Sequence, residues 1–301
     1  MDRLETMSLL LDTLDAGSFS AAARLRDIPV ATLTRKIGQL EQQLGAVLLI
    51  RSTRRLALTD AGQRYVAGAR QVLAQVDEIE RTAAGEFVEP MGRLVVSAPR
   101  MFGRLHVLPI VGDFLRQYEG ITIDLQLMDN NVDLTAGLAD LAVRIGTLPD
   151  SGLIATQLGS MRTVIVASPD LLDRYSKPQH PDDLAAWPAI VLDIPLPSAA
   201  SRLHTSSADR SSRQTRLSVS GAEAAVDAAV AGIGFVRLLH YQVADALKTG
   251  RLCRLLESYE DPPVPVHFVH PPLTQLPLKT RRFLDYARDR LRTSLREISE
   301  V

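Results

Sequence analysis

The hydrophobic positions of the first 45 residues follow the period of amphipathic helices. Apolar side chains recur three or four residues apart at Leu4, Met7, Leu10, Leu11 and Leu14. This spacing predicts one helix that ends at Gly17, and Ser18 suits the N-cap of a second helix, SFSAAARLR. Asp27 to Pro29 break the pattern, and Pro29 suits the first turn of a third helix.

The third predicted helix ends at Gly45 and has two unlike faces. Leu33, Ile37, Leu40 and Leu44 share the face that packs on the first two helices. The opposite face carries short, hydroxyl and basic side chains: Val30, Ala31, Thr32, Thr34, Arg35, Lys36 and Gln39. Two helices joined by a short turn, the second exposed in this way, indicate a helix-turn-helix that binds DNA. The alternative is a three-helix interaction module whose third helix is merely solvated.

Residues 47–59, VLLIRSTRRLALT, have two short apolar runs around a basic tip, which predicts a β-hairpin, or wing. We expect Arg51, Arg54 and Arg55 of this wing to contact the DNA backbone or minor groove. The net charge of the chain is −1. Residues 16–59, however, hold seven basic and two acidic side chains, so this part alone carries +5. A local basic face of this kind attracts a phosphate backbone.

Residues 59 to about 87 are predicted to form one long helix. Its apolar positions are close to a heptad pattern: Ala61, Tyr65, Ala69, Val72, Val76, Ile79 and Ala83. Pairing with the same helix of a second subunit would bury this stripe, and packing on the wing or on the next domain is the alternative. The Gly- and Pro-containing stretch GEFVEPMGR, residues 85–93, indicates a hinge.

From Arg93 onward, apolar strand patterns alternate with helical ones, which predicts an α/β domain with mainly parallel sheets. The length of this part allows two lobes with a cleft between them. Within it, DLTAGLAD is predicted to be a helix, and the serine-rich residues 198–214 an exposed connection.

Composition narrows the class of protein. The single cysteine, Cys253, allows no internal disulfide, the N-terminus lacks the pattern of a signal peptide, and no long uncharged apolar stretch is present. We therefore expect a cytoplasmic protein without a membrane partner. The sequence contains no GxSxG motif, P-loop or CxxC pair, and His267 and His270 face opposite sides of a predicted strand. We expect neither an enzyme, nor a metal site, nor a cofactor.

The segments GSFSAAARLRDIPVATLTRKIGQLEQQLG and RSTRRLALTDAG resemble the N-terminal domain of LysR-type transcriptional regulators. The resemblance continues through GRLVVSAPRMFGRLHVLPIVGDFL, DLAVRIGTLPDSGLIATQLG, HPDDLAAW and AAVAGIGF, so it covers nearly the whole chain. One departure lies in the turn of the helix-turn-helix, where Arg26 and Asp27 stand in place of the usual Leu-Gly. Asp tolerates a left-handed backbone, so the turn can form.

The resemblance implies a winged helix-turn-helix in residues 1–59, a linker and dimerisation helix in 60–87, a hinge in 88–92 and an effector-binding domain in 93–301. That domain is similar to periplasmic binding proteins, with two Rossmann-like lobes around a small-molecule cleft. We expect lobe I at about 93–161 and 267–301, and lobe II at about 162–266. Implied partners are double-stranded DNA with an inverted repeat, a second subunit in a dimer or tetramer, and RNA polymerase. A solute-binding module without a DNA function is the alternative.

Two sets of site residues follow. The expected DNA contacts are Ser20, Val30, Ala31, Thr32, Thr34, Arg35, Lys36, Gln39, Arg51, Arg54 and Arg55. Ligands of α/β sheets gather at the carboxyl ends of strands, which selects Ser97, Arg100, Met101, Phe102, Asp129, Asn131, Arg144, Gly146, Ser220, Phe235 and Arg237 as expected effector contacts. The arginines among them favour a small organic or aromatic acid as effector. For each arginine alone, a surface or interlobe ion pair is an equal alternative.

Overall fold

A computed structural model describes residues 2–51, 56–83, 89–130, 132–135, 137–193, 214–272 and 276–300. The expected DNA contacts Arg54 and Arg55, the side chain of Arg51 and the expected effector contact Asn131 lie outside the described residues. So do residues 84–88, at the end of the predicted linker helix, and residues 194–213, which include nearly all of the serine-rich connection.

The N-terminal domain consists of three helices and a two-stranded hairpin. The helices are α1 (Arg3–Asp15), α2 (Phe19–Leu25) and α3 (Val30–Leu44), and antiparallel strands β1 (Leu49–Arg51) and β2 (Leu56–Leu58) form the wing. The predicted N-cap is confirmed, since the Ser18 hydroxyl accepts a hydrogen bond from the Ala21 N–H. Gly45 ends α3 with a φ of 63°, and Asp27 makes the turn with a φ of 51°, as its tolerance of the left-handed region allows.

The core of this domain joins all three helices to the wing. It is built from buried Leu9, Leu10, Ala22, Ala23, Leu33, Ile37, Leu40, Leu48, Leu49 and Val66. The predicted apolar face of α3 is therefore confirmed at three of its four positions, while Leu44 remains exposed at the end of the helix.

Helix α4 (Asp60–Ala83) is the predicted linker helix. The Thr59 hydroxyl caps it by accepting a hydrogen bond from the Gly62 N–H at 2.9 Å. At Gly62 the helix runs so close to the wing that a Cβ there would lie 2.1 Å from the carbonyl oxygen of Leu48. Part of the predicted stripe is open, with Ile79 67% exposed. Pairing with a second subunit stays a prediction.

The remaining chain forms two lobes, each around its own sheet. The first sheet has the order β4–β3–β5–β12–β6, where β3 is Gly92–Ala98, β4 Ile121–Leu127, β5 Leu141–Ile145, β6 Ile154–Met161 and β12 Val264–His270. Strand β3 is parallel to β4 and β5, whereas β12 is antiparallel to β5 and β6. The expected lobe boundary at 267 falls inside β12.

Helices cover the first sheet. They are α5 (Arg100–Phe102), a π-helical turn (Gly103–Val107), α6 (Leu108–Gln117) and α10 (Leu278–Glu300). Pro109 lies in the first turn of α6, where it has no N–H to donate, and the π turn directly precedes it. The rings of Phe114 in α6 and Phe283 in α10 pack edge to face with their centroids 5.1 Å apart, so the two helices share one hydrophobic core.

The second lobe has strands β7 (Thr163–Ala167), β8 (Pro188–Leu192), β9 (Gln214–Val219), β10 (Val236–Leu239) and β11 (Cys253–Leu255). Strands β10 and β11 flank β7 antiparallel, β8 and β9 are parallel, and a bridge from Ala189 to Phe235 joins the two groups. Its helices are α7 (Pro169–Arg174), α8 (Ala222–Val230) and α9 (His240–Lys248).

The fold corrects two expectations. The sheets are mixed rather than mainly parallel, because β12 returns to the first lobe between β5 and β6, antiparallel to both. The described residues of DLTAGLAD form turns rather than a helix: the Asp133 carboxylate accepts hydrogen bonds from the N–H and hydroxyl of Thr135, and Gly137 has a φ of 69°. These local bonds favour turns over a helix. Within the described ranges, no helix has the length and apolar character needed to cross a bilayer.

Candidate nucleic-acid interface and ligand cavity

Helix α3 presents the polar face that the sequence predicts. Val30, Ala31, Arg35 and Gln39 are exposed, and Thr32, Thr34 and Lys36 are half-buried. The Arg35 guanidinium donates to the Gln39 side-chain oxygen, one turn further on, at 3.5 Å. On α2, Ser20 is exposed.

The side chain of Lys36 is held by an ion pair and is less exposed than those of Arg35 and Gln39. Its ammonium group forms an ion pair with Glu5 of α1, and its side chain is only 22% exposed. The lysine therefore ties α3 to α1, and its charge is compensated within the domain. Arg26, in the turn before α3, is held in the same way by Asp12 at 2.5 Å.

The N-terminus of α3 is open. Pro29 stands at the N-cap position and makes no side-chain capping bond. The Thr32 N–H donates to the Pro29 carbonyl oxygen at 2.9 Å, which leaves the Val30 and Ala31 N–H groups for an external acceptor. The partial positive charge of a helix N-terminus favours a phosphate there. This end of α3 thus adds backbone donors to the side chains of the exposed face.

A cavity of about 420 Å³ lies between the two lobes. The first lobe contributes Ser97, Ala98, Pro99, Met128, Asp129, Asn130, Val132, Ala142, Val143, Arg144, Ile145 and Thr147 to its walls, and the second Leu192, Ala222, Leu239, Tyr241 and Gln242. The walls are mostly apolar, with a few polar groups at defined positions. Such a composition is typical of a small-molecule site.

Arg144, at the end of β5, is the main cationic group of this cavity. It donates to the carbonyl oxygen of Val132 at 2.6 Å, and its side chain is half-buried. Burial lowers the pKa of its guanidinium, and the nearby Asp133 partly offsets that effect. In the part of the chain that the structure describes, no carboxylate forms an ion pair with Arg144. A partly desolvated guanidinium of this kind can bind a carboxylate through two parallel hydrogen bonds.

Three further polar groups surround the cavity. Ser97 is buried at the end of β3. Asp129 accepts the Arg100 N–H at 3.1 Å and lies 3.7 Å from the Arg100 side chain. Burial raises the pKa of Tyr241, so its phenol stays neutral, and it accepts a hydrogen bond from the Gln242 amide at 3.3 Å. The cavity therefore combines one available cation with neutral hydrogen-bonding groups and a partly compensated acid.

The structure brings three of the expected effector contacts, Ser97, Asp129 and Arg144, into the walls of the cavity. Five others are not part of its walls: Arg100, Met101, Phe102, Gly146 and Ser220. Met101 and Phe102 are buried in the core, since α5 turns them away from the strand end.

The expected placement of Phe235 and Arg237 at the cleft is wrong. Phe235 packs with Leu171 and Trp187 in a separate apolar cluster of the second lobe. Arg237 forms a buried ion pair with Asp261, which compensates its charge. The cavity walls also include three residues that were not among the expected contacts: Leu239, the last residue of β10, and Tyr241 and Gln242 beyond it. The strand-end rule would have selected them if FVRLL had been recognised as a strand.

The described residues were compared with the requirements of a metal site and of a reactive thiol. Across the described ranges, no group of three His, Cys, Asp or Glu side chains is placed to hold a metal ion. Cys253 is half-buried at the start of β11.

Two family models match the chain. Residues 4–63 match the model described as bacterial regulatory helix-turn-helix protein, lysR family, and residues 88–292 match the LysR substrate binding domain. An HTH-type transcriptional regulator of Xanthomonas campestris pv. campestris is 34% identical over 94% of this chain and 84% of its own length. The HTH-type regulator YhjC of Escherichia coli K12 is 31% identical, covering 95% of this chain and 97% of that protein.

Among solved structures, full-length LysG from Corynebacterium glutamicum, with bound effector Arg, aligns with a TM-score of 0.66. It covers 96% of this chain and 98% of that one at 24% identity, a similarity that concerns the fold.

Proposed function

This chain belongs to the LysR-type family of transcriptional regulators, and on that premise we propose that it reads DNA through α3 and senses a small carboxylate between its lobes. The observation that carries the first part is the exposed face of α3. Arg35 and Gln39 are long enough to reach base edges, where arginine pairs with guanine and glutamine with adenine. The open helix start and Ser20 are suited to neighbouring phosphates.

The DNA target is proposed to be an inverted repeat. The exposed apolar positions Val72 and Ile79 of α4 support pairing with the same helix of a second subunit. A two-fold dimer presents its two recognition helices to two half-sites related by the same symmetry. We extend this to a tetramer that works in the cytoplasm and acts on RNA polymerase by changing the bend of the DNA.

The effector is proposed to be a small organic acid whose carboxylate binds Arg144. The free hydrogen-bonding capacity of that guanidinium and the apolar walls around it support an acid with an apolar body, which includes aromatic acids. The effector Arg of the solved LysG structure also carries a carboxylate. Binding shifts the angle between the lobes only as far as the ligand prefers one arrangement over the other.

The first experiment measures binding of the purified protein to its own upstream intergenic region and to an unrelated fragment of equal length, at two salt concentrations. Selective binding that weakens with salt is expected. Arg35→Ala should cost about 1–3 kcal/mol of affinity if the side chain contacts a base. Arg116→Ala, which removes an arginine that is 76% exposed on α6, is the matched control. Equal losses in both variants would contradict the proposed reading face.

The second experiment screens small carboxylates, including aromatic acids and amino acids, for a shift of the unfolding temperature. Arg144→Gln should abolish the response to any hit, because it removes the cation that binds the carboxylate. Arg116→Gln should preserve the response, since Arg116 is 76% exposed on α6 and does not line the cavity. A hit that stabilises Arg144→Gln as strongly as the wild type would contradict the proposed effector site.

A further inference from the structure

The 128–140 segment, whose described residues are 128–130, 132–135 and 137–140, connects two sites that lie far apart in the sequence. Its first half lines the cavity between the lobes. Its second half lies against the linker helix α4, which follows the winged domain in the chain. The same short stretch of backbone thus touches the proposed effector site and the helix that joins the two domains.

At the cavity end, the segment is held by the residue proposed to bind the effector. The Arg144 guanidinium donates to the carbonyl oxygen of Val132, so any ligand that moves this side chain also moves the Val132 backbone. Met128 and Asp129 form the adjoining wall.

At the other end, the segment meets α4 without any intervening side chain. A Cβ atom at position 137 would lie 2.4 Å from the Cβ of Ala67 and 3.2 Å from its Cα. Gly137 also has a φ of 69°, a conformation that L side chains rarely adopt. Position 137 therefore requires glycine for two reasons: the backbone conformation and the close approach of α4.

The described residues between these two ends are held by packing and by hydrogen bonds. Leu134 is buried with Ala139 and Val269, and its carbonyl oxygen accepts the Gly137 N–H at 3.1 Å. The Asp140 carboxylate accepts the Val95 N–H at 2.8 Å, which fastens the end of the segment to β3. The Leu134–Gly137 hydrogen bond therefore links the cavity half of the segment directly to the half that contacts α4.

Helix α4 is fixed in turn to the winged domain. Val66, next to Ala67, is part of the core of that domain, and Arg70 pairs with Asp15 of α1 at 2.7 Å. Because α3 packs in the same core, a shift of α4 changes the position of the recognition helix.

We propose that Gly137 is a positioning residue that seats α4 on the first lobe, and that the 128–140 segment transmits changes between the effector cavity and the DNA-binding domain. The inference rests on the proposed DNA-binding function and goes beyond it by naming the contact that couples the two sites. Coupling between two binding sites is reciprocal, so DNA must act on the cavity as the effector acts on DNA. This allows a test that does not require the effector.

The first measurement is hydrogen exchange of the full-length free protein. Gly137→Ala should speed hydrogen exchange in α4 about fivefold or more, the lower end of typical coupling effects. The reason is that the added methyl group pushes α4 away from the first lobe. Gly250→Ala is the matched control, since Gly250 has a φ of 70° but a Cβ there meets nothing within 4 Å. Gly137→Ala combined with Ala67→Gly should recover part of the protection, because the colliding methyl is removed. Unchanged exchange in α4, or equal acceleration by Gly250→Ala, would overturn the proposal.

The second measurement adds the upstream DNA fragment. In the wild type, DNA should change exchange in residues 128–135 about fivefold or more, and Gly137→Ala should lose this response while still binding DNA. A wild-type response confined to residues 1–83 would overturn the proposal. If no DNA is bound at all, the proposed function fails, and the free-protein comparison still decides the role of Gly137.

Discussion

The buried ion pair between Arg237 and Asp261 permits a quantitative prediction. The two side chains are only 8% and 4% exposed, so neither charge is well solvated. Asp261→Ala leaves the Arg237 guanidinium buried without its carboxylate, and breaking a buried pair in this way costs about 3–5 kcal/mol. For a domain of 150–250 residues, each kcal/mol lowers the unfolding temperature by about 2–4 °C. We therefore expect the effector domain to unfold roughly 6–20 °C earlier.

The assay is thermal unfolding followed by circular dichroism, with two comparison variants. Asp113→Ala removes one partner of the exposed pair with Arg116, and it should change stability by less than about 0.5 kcal/mol. Arg237→Met combined with Asp261→Leu replaces both charges by apolar groups and should recover most of the loss. An Asp261→Ala variant that loses less than about 1 kcal/mol, or a double variant as unstable as the single one, would refute the reasoning.

Three further predictions concern other parts of the chain. Gly62→Ala places a methyl group 2.1 Å from the Leu48 carbonyl oxygen, and it should lower both the unfolding temperature and the DNA affinity. Gly68→Ala on the same helix should leave stability unchanged or raise it, because a Cβ there meets no atom within 4 Å. Burial, with two nearby arginines, lowers the pKa of His240 to about 4. The folded state therefore keeps this ring neutral. The stability that depends on the neutral ring is complete above about pH 6.5 and is lost as the pH falls towards 4. Unfolding in urea should show a loss of about 2 kcal/mol at pH 5, and the His240→Leu variant should not show this loss. Asp2→Ala removes the cap that accepts two N–H groups of α1 and should cost about 1 kcal/mol in the same assay.

The winged domain could be predicted because its signals are local. The leucine spacing of α3, Ser18 at an N-cap and Gly45 at a helix end each act over a few residues, and the structure uses all three as predicted. In the effector domain, β6 gives no clear strand pattern because it mixes polar and small side chains with few apolar ones. β10 gives none because FVRLL is buried on both faces and shows no alternation. Periodicity cannot separate such a short apolar run from a helix.

The cavity was predicted only in part for the same reason. The strand-end rule selects Ser97, Asp129 and Arg144, which lie at or near the carboxyl ends of β3, β4 and β5 and line the cavity. The partner of Arg237 could not be foreseen, since Asp261 is 24 residues away and nothing in the local pattern indicates that the two approach each other. Contacts between lobes, such as Tyr241 at the cavity, depend on a topology that the sequence does not display.

If two α4 helices pair as proposed, their length would set the distance between the two DNA-binding domains. The 24 residues of α4 span about 36 Å, close to one turn of B-DNA, and the Thr59 cap and the close approach at Gly62 hold the start of the helix against the wing. Inserting one residue into α4 would then rotate each recognition helix by about 100° relative to the paired face of α4. Inserting seven residues would nearly restore the original rotation and would lengthen each α4 helix by about 10 Å. Under that pairing, the length of this one helix would set the spacing and helical phase of the two half-sites.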